Sequence, residues 1–351
     1  MKLIIQIPCL DEEMTLPATL ADLPREVPGF DAVEWLIIDD GSTDRTIEVA
    51  REHGVDHIVK LTNNKGLAAA FQAGLDASLK LGADVIVNTD GDNQYRGGDI
   101  ALLVEPIVSG DADMVVGDRN VMEIEEFSFL KKRLQRLGSW VIRQASDTSI
   151  PDATSGFRAY NREAALALIV VSKFTYTLES LIQAGKSLVA VGHVTIGTNP
   201  KTRESRLFPS MWAYMRRNSV AIFRIYAQYE PLRVFTVLGI VLIALAVGAW
   251  SPFLWDWLHG DGSGHLQSIV LGGVLLIAAF QAFALGVVAD LIAGHRVVSQ
   301  RTLERVRRLE LQLGVEPSHY QAGAPTRARV LPGERGSGDV ADPGEELVAG
   351  R

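Results

Sequence analysis

Asp90-Gly91-Asp92-Asn93-Gln94 follows the apolar run VIVN at 85–88. Two carboxylates two positions apart, with only glycine between, can turn one toward a divalent cation and one toward a sugar hydroxyl. Mg2+ or Mn2+ held this way would need further oxygens, which a diphosphate could supply. The metal would then neutralise charge on a departing nucleoside diphosphate. Asp39-Asp40-Gly41 closes an earlier apolar run. There Asp39 could accept from a nucleobase N–H and Asp40 from a ribose hydroxyl. Both strings also suit ordinary solvated turns, in which Asp bonds nearby backbone and Ser42 or Thr43 caps the next helix.

The surrounding pattern places both strings at strand ends. LIIQIP at 3–8, VEWLIID at 33–39, DHIVKLT at 56–62, ADVIVNTD at 83–90 and DADMVVGDR at 111–119 read as strands. Between them, 16–27, the segment stopping at Gly54, 65–82 and 98–110 have helical periodicity. Strands alternating with helices predict an α/β domain with a mostly parallel sheet covered on both faces. Ligands in such sheets sit beyond the C-terminal ends of the strands. Asp11/Glu12, Asp39/Asp40, Asp90/Asp92 and Arg119 all fall there. Neither GxGxxG after the first strand nor GxxxxGK[ST] occurs, which argues against a dinucleotide fingerprint and a P-loop.

The 351 residues carry 34 Lys plus Arg against 42 Asp plus Glu, a formal charge of -8. That balance disfavours a uniformly basic nucleic-acid binder. One cysteine excludes an internal disulfide framework. The mean hydropathy of +0.14 is high for an acidic chain. Its source is two uncharged runs, 234–255 and 266–289, of 22 and 24 residues. At ~1.5 Å per residue each can cross ~30 Å of hydrocarbon. Arginines precede the first run and follow the second, while the loop between has no Lys or Arg. The positive-inside rule then puts both ends in the cytoplasm, in a cell membrane. MKLIIQIP does not read as a signal peptide. The expected organisation is a cytoplasmic catalytic domain at 1–205 and amphipathic juxtamembrane helices at 206–232. Transmembrane helices at 233–255 and 266–292, a basic helix at 293–313 and a disordered tail at 314–351 complete it.

Several spaced motifs together resemble family 2 glycosyltransferases, specifically the polyprenyl-phosphate sugar transferase group. The family's P-x-x-N-E-E is Pro8-Cys9-Leu10-Asp11-Glu12-Glu13 here, with Asp in place of Asn. DDGS-x-D is Asp39-Asp40-Gly41-Ser42-Thr43-Asp44, and N-x-G-x-x-x-A-x-x-x-G falls on Asn64, Gly66, Ala70 and Gly74. D-x-D-x-Q is Asp90, Asp92 and Gln94; G-x-R is Gly117-Asp118-Arg119; D-x-x-S-G-F-R runs from Asp152 to Arg158. The resemblance covers roughly 1–300. It implies a GT-A fold, a nucleotide-sugar donor, a divalent cation (Mg2+ or Mn2+), a polyprenyl phosphate acceptor in a phospholipid membrane, and inversion at the sugar.

By the same resemblance, Pro8, Leu10, Glu12, Asp39, Asp40, Lys65, Asp90, Arg119 and Glu179 would line the nucleotide sugar. Asp92 and Gln94 would hold the metal. Asp152, Asp92 and Arg158 would carry the chemistry, with Asp152 either a base or an orienting group for Arg158 or the sugar. Lys132, Arg133 and Arg136, on a basic stretch interleaved with aromatics, would meet the lipid phosphate. Arg203 and Arg206, in a segment that departs somewhat from the family's R-x-G-x-S-K-L, would close over the diphosphate. A different lipid or glycan acceptor, or a non-enzymatic membrane scaffold, are the competing readings. A homo-oligomer is expected on general grounds.

Overall fold

The computed structural model describes residues 1–120, 146, 148–170, 176–187, 189–200, 223–224, 226–260 and 265–323. Strands β1 (Lys2–Cys9), β2 (Ala32–Asp39), β3 (His57–Lys60), β4 (Val85–Asn88), β5 (Met114–Asp118), β6 (Arg158–Asn161), β7 (Val191–Thr195) and β8 (Tyr320–Ala322) form one sheet. Its order is β7-β5-β6-β4-β1-β2-β3-β8. β1 pairs in parallel with β2 and β4, β2 with β3, and β5 with β7. β6 and β8 run against their neighbours. The sheet is therefore mostly parallel, as the alternating pattern predicts.

The helices are α1 (Leu16–Asp22), α2 (Thr46–Glu52), α3 (Leu67–Lys80), α4 (Ile100–Val108), α5 (Arg162–Ala167), α6 (Tyr176–Lys186), α7 (Pro231–Leu258) and α8 (Leu266–Gln312). The period of two along β1 explains why both sheet faces are covered. Ile4 joins Leu36, Ile38 and Ile86 in a core closed by α3, α5 and α6. Leu3, Ile5 and Ile7 point the other way, into a core closed by α1, α2 and α4. β1 lies centrally with β2 on one side and β4 on the other, and the chain's polar turns emerge at its C-terminal end. This is the switch point at which open α/β sheets present their crevice.

Two helices are long and apolar enough to cross a membrane. They pack as a hairpin through small residues facing aromatics: Gly239 against Phe283, Gly286 against Phe235, and Gly272 against Trp250. Small residues allow the close approach that helices need in hydrocarbon. Trp250 Nε1 donates to the Ile269 carbonyl at 3.1 Å. The outer faces expose Val241, Val247, Ile277, Phe280 and Val288.

The far end of the chain differs from expectation. The basic segment 293–313 is no separate helix, because α8 continues unbroken to Gln312. Nor does structure stop at 314: β8 adds to the sheet edge beside β3. His57 Nδ1 meets the Tyr320 hydroxyl at 2.9 Å, and Gly323 N donates to the Asp56 carbonyl at 3.0 Å. An edge strand leaves backbone groups to be satisfied, and the chain supplies its own cover there. The rest of the expected tail lies outside the described residues.

The α3 face of the core tests the packing. Phe71 is fully buried, with its ring stacked on Tyr176 at 4.0 Å and tilted against Tyr160 at 5.9 Å. Phe71→Ala is expected to cost ~3–5 kcal/mol of stability, read from denaturant unfolding in detergent. A loss below ~1 kcal/mol would mean that this ring is not a core element.

Candidate active site

The first wall is built from two loops that lock together. After β1, Asp11 takes a positive φ of 53° and its N–H donates to Ser42 Oγ at 2.9 Å. Asp11 Oδ1 in return accepts from the Thr43 N–H at 2.7 Å. Glu12 N donates to Thr46 Oγ1 at 2.9 Å, and Glu13 N to Asp44 Oδ2 at 3.0 Å. The Asp that replaces Asn at position 11 thus serves as a backbone acceptor, a role open to either side chain. Gly41 adopts φ 81°, and a Cβ there would lie 2.6 Å from the Asn63 backbone. Only glycine fits that left-handed, crowded position.

Asp39 and Asp40 divide their roles. Asp39 is fully buried at the end of β2. Its Oδ1 accepts from Ser42 N at 3.1 Å, while Oδ2 has no partner among the described residues. A buried carboxylate oxygen left without a donor is costly, and here it stands at the strand ends where ligands bind. Asp40, expected at a ribose hydroxyl, instead commits both oxygens to backbone. Oδ1 takes Lys65 N at 2.7 Å and Oδ2 takes Gly66 N at 2.8 Å, the entry to α3. The Lys65 side chain is exposed at that turn. Pro8 and Glu12 are buried and Leu10 is half-buried on the adjoining β1 loop.

The floor holds the second acidic string. Asp90 is pushed up to about 7, first by desolvation and next by the charge of Asp92, against the opposing pull of Arg119. Mutual repulsion of this kind is what a divalent cation relieves. No group of three or more His, Cys, Asp or Glu side chains able to hold a metal occurs among the described residues. Asp92, with the Asp90 charge close by, fits a hard cation that takes most of its oxygens from phosphate and water. Asp92 Oδ1 also accepts from Gln94 N at 3.2 Å, which tightens the turn. The Gln94 carbonyl accepts from Asn199 N at 2.9 Å, so its backbone anchors the segment after β7.

Beneath Asp90 lies a polar network that sequence reasoning missed. Asn88 Nδ2 donates to the Gly156 carbonyl and the Tyr176 hydroxyl, each at 2.9 Å. Asn88 Oδ1 accepts from Gln6 Nε2 at 2.9 Å. Gly156 N donates to the Tyr95 hydroxyl at 3.0 Å, and Tyr95 stacks on Phe157 at 5.0 Å. A Cβ on Gly156 would stand 3.2 Å from both Asp90 oxygens and 2.7 Å from the Tyr176 hydroxyl. The absent side chain is what lets Asp90 settle over this loop. The available signal was polar Gln6 and Asn88 inside otherwise apolar strands.

Arg119 directly follows β5 and grips Asp152 with two bonds, Nε to Oδ2 at 2.7 Å and Nη2 to Oδ1 at 3.1 Å. Arg119 Nη2 also donates to Thr154 Oγ1 at 3.0 Å. Burial alone would raise Asp152, but the Arg119 charge and the bonds to it outweigh that and hold the carboxyl below its ordinary value. A carboxylate held by a bidentate arginine is a poor proton acceptor and a good orienting group.

Two expected site residues take other roles. Arg158 is fully buried and donates to the carbonyls of Ala153, Ser155 and Thr177 and to Ser180 Oγ, at 2.7–2.8 Å. It staples the 152–157 loop to α6, and so positions the site from below rather than meeting a substrate. Glu179, expected at the donor sugar, receives Arg296 of α8 at 3.0 Å. Lys132, Arg133, Arg136, Arg203 and Arg206 lie outside the described residues.

Comparison with known proteins places the fold and the family. The profile described as "Glycosyl transferase family 2" matches residues 4–168. An undecaprenyl-phosphate mannosyltransferase of Micrococcus luteus is 30% identical, over 48% of this chain and 70% of its own. A UDP-N-acetylglucosamine–dolichyl-phosphate N-acetylglucosaminyltransferase of Methanococcus voltae is 28% identical, over 55% of this chain and 83% of its own. Among solved structures, glucosyl-3-phosphoglycerate synthase of Mycobacterium tuberculosis, in complex with Mn2+, UDP-glucose and phosphoglyceric acid, superposes with a TM-score of 0.52. It is 20% identical over 64% of this chain and 80% of that one.

Two substitutions separate orienting from reacting groups. Asp152→Asn is expected to cut turnover ~10-fold or more without moving any ionisation in the pH–rate profile, because the paired carboxylate stays charged through neutrality. Disappearance of an ionisation between about pH 6 and 8 would instead make Asp152 the base. Arg158→Met is expected to lower stability by ~2–4 kcal/mol in a thermal melt, since it strands three buried carbonyls. An unchanged melt with turnover abolished would return Arg158 to the substrate.

Proposed function

Because the chain belongs to glycosyl transferase family 2, we propose that it transfers a hexose from a UDP- or GDP-linked donor to a polyprenyl phosphate at the cytoplasmic face of a membrane. Family membership makes it a nucleotide-sugar-dependent glycosyltransferase with relatives that act on polyprenyl or dolichyl phosphate. The observation that carries the acceptor reading is the pairing of the strand-end carboxylates with a hairpin of two long apolar helices in one chain. A water-soluble acceptor would not require the hairpin, whereas a prenyl chain is itself confined to hydrocarbon.

In this reading the nucleoside lies against Pro8, Leu10 and Glu12, and the free Asp39 oxygen accepts from a base N–H. Asp90 receives a sugar or ribose hydroxyl. Asp92, with Gln94 beside it, would hold a Mg2+ or Mn2+ ion. When bound, that cation supplies charge stabilisation to the departing diphosphate. The Mn2+ held by the mycobacterial synthase supports a divalent cation here. The phosphate oxygen of the lipid forms the new bond to the anomeric carbon from the face opposite the leaving group. The bond from that carbon to the nucleoside diphosphate breaks, and its electron pair leaves with the diphosphate, so configuration inverts. A phosphate is already anionic near pH 7 and needs no strong base, which fits the ion-paired state of Asp152. Arg119 and Asp152 then orient the groups around the reacting carbon. Both ends of the hairpin face the cytoplasm, the side on which arginines cluster.

The test is to incubate membranes containing the protein with polyprenyl phosphate, a divalent salt and a panel of labelled nucleotide sugars, and to follow label into lipid. Transfer from at least one donor is expected. No transfer from any donor by folded protein would refute the reading. Asp92→Asn is expected to reduce turnover ~100-fold or more while leaving the melt unchanged, as loss of a metal-placing carboxylate should.

A further inference from the structure

Helix α6 leaves the candidate site and runs to the hairpin. At its first residue, Tyr176 is buried against Phe71 and bonded by Asn88 beneath Asp90. One turn on, the Glu179 side chain is 3% exposed and accepts from Arg296 Nη2 at 3.0 Å. Arg296 lies on α8, just past its uncharged stretch. Its guanidinium also covers the Tyr229 ring at 4.6 Å, and its Nη1 donates to Gln228 at 3.2 Å. Gln228 and Tyr229 stand immediately before α7. At the other end of α6, Lys186 pairs with Glu230 at 2.7 Å, and Glu230 is the N-cap of α7. Both domain-side ends of the hairpin therefore converge on the helix that starts in the site.

We propose that Glu179 and Arg296 are positioning residues for the transfer reaction, fixing the tilt of α6 and its pocket over the place where a membrane-bound lipid phosphate arrives. The proposal rests on the polyprenyl phosphate reading. Arginine suits the position because one planar guanidinium can bond a carboxylate on its edge while covering an aromatic ring with its face. Glu179 is too deeply buried to lose its cation without penalty.

Attachment of the domain does not depend on this pair. Farther along α8, by ~16 Å at ~1.5 Å per residue, Arg307 donates to the carbonyls of Leu166 and Leu168. Arg308 pairs with Glu163, and Lys80 with Glu310 at 3.0 Å. These contacts hold the flank of the domain to α8. What Arg296 adds is the angle at the site end. A soluble donor reaches the pocket at any tilt, but a phosphate fixed in the headgroup plane cannot follow a pocket that swings away. The pair should therefore govern use of the lipid acceptor and leave the donor alone.

The experiment compares two acceptors with the full-length protein: a long-chain polyprenyl phosphate in phosphatidylethanolamine/phosphatidylglycerol vesicles, and a short, water-soluble prenyl phosphate. Arg296→Gln is expected to raise KM for the vesicle-bound acceptor ~10-fold or more, with the donor KM and the rate on the soluble acceptor within ~2-fold of the unaltered protein. Arg296→Lys should recover part of the loss. The exchanged pair, Glu179→Arg with Arg296→Glu, should recover more than either single change and carries the test if Arg296→Gln aggregates. Equal losses on both acceptors, or an unchanged KM for the vesicle-bound one, would overturn the proposal. If the unaltered protein transfers to neither prenyl phosphate, the acceptor reading falls and takes this proposal with it. If it transfers normally and Arg296→Gln does too, only the positioning role falls.

Discussion

Asp90 and Asp92 concentrate negative charge at the end of a buried strand, and the architecture around them follows from holding that charge in place. β4 cannot shift, because it is bonded to β1 and β6 and covered on both faces. Its last residue, Asn88, spends its amide on the Gly156 loop and Tyr176. The carboxylates are thus carried on a support with no slack. Cations stand near but do not cancel them: Arg119 is tied to Asp152, and Arg158 to backbone carbonyls. Their fields reach Asp90 without bonding it. A site built this way is preorganised for a positively charged visitor.

The same economy of ion pairs links the site to the apolar helices. Asp152 is held by Arg119, Glu179 by Arg296, and the carbonyls of the 152–157 loop by Arg158. The Arg119–Asp152 and Glu179–Arg296 pairs each join segments far apart in the chain, so each records a tertiary relationship rather than a local one. Buried pairs of this kind contribute less to net stability than to fixing one arrangement over its neighbours. Position matters more than stability where a reaction must occur at a set height over a membrane surface.

What was legible in the chain divides along that line. The strands that form the floor, β1, β2 and β4, are buried on both faces and read as continuous apolar runs. The acidic strings at their ends are local turn chemistry, so their place at the crevice could be read directly. Roles set by distant partners could not. Arg158 reads as a motif cation, yet its burial depends on α6 folding over it. Glu179 looks like a pocket acid, yet its partner is 117 residues away. Asp40 has the same composition and nearly the same position as Asp39, and only the path of residues 63–66 decides which of the two keeps a free oxygen. The three-residue strand β8 has no periodicity to detect within a Gly- and Pro-rich segment. It is defined by the β3 edge it covers.

The unbroken course of α8 carries a further consequence. A membrane helix that ended at the bilayer surface would leave the catalytic domain joined by a flexible tether, free to sample many orientations. Here the second apolar helix continues for several turns as a rigid rod, docks along α5 and the end of α3, and hands the chain to the far edge of the sheet through β8. The domain is gripped on its flank by the rod and near its site by α6. Rigid connection sacrifices the reach of a tether and, in the membrane reading proposed above, fixes the distance between pocket and hydrocarbon. For an enzyme whose acceptor is soluble, that exchange would be a handicap. For one whose acceptor phosphate sits at a single depth, it converts a search in three dimensions into an encounter at one height.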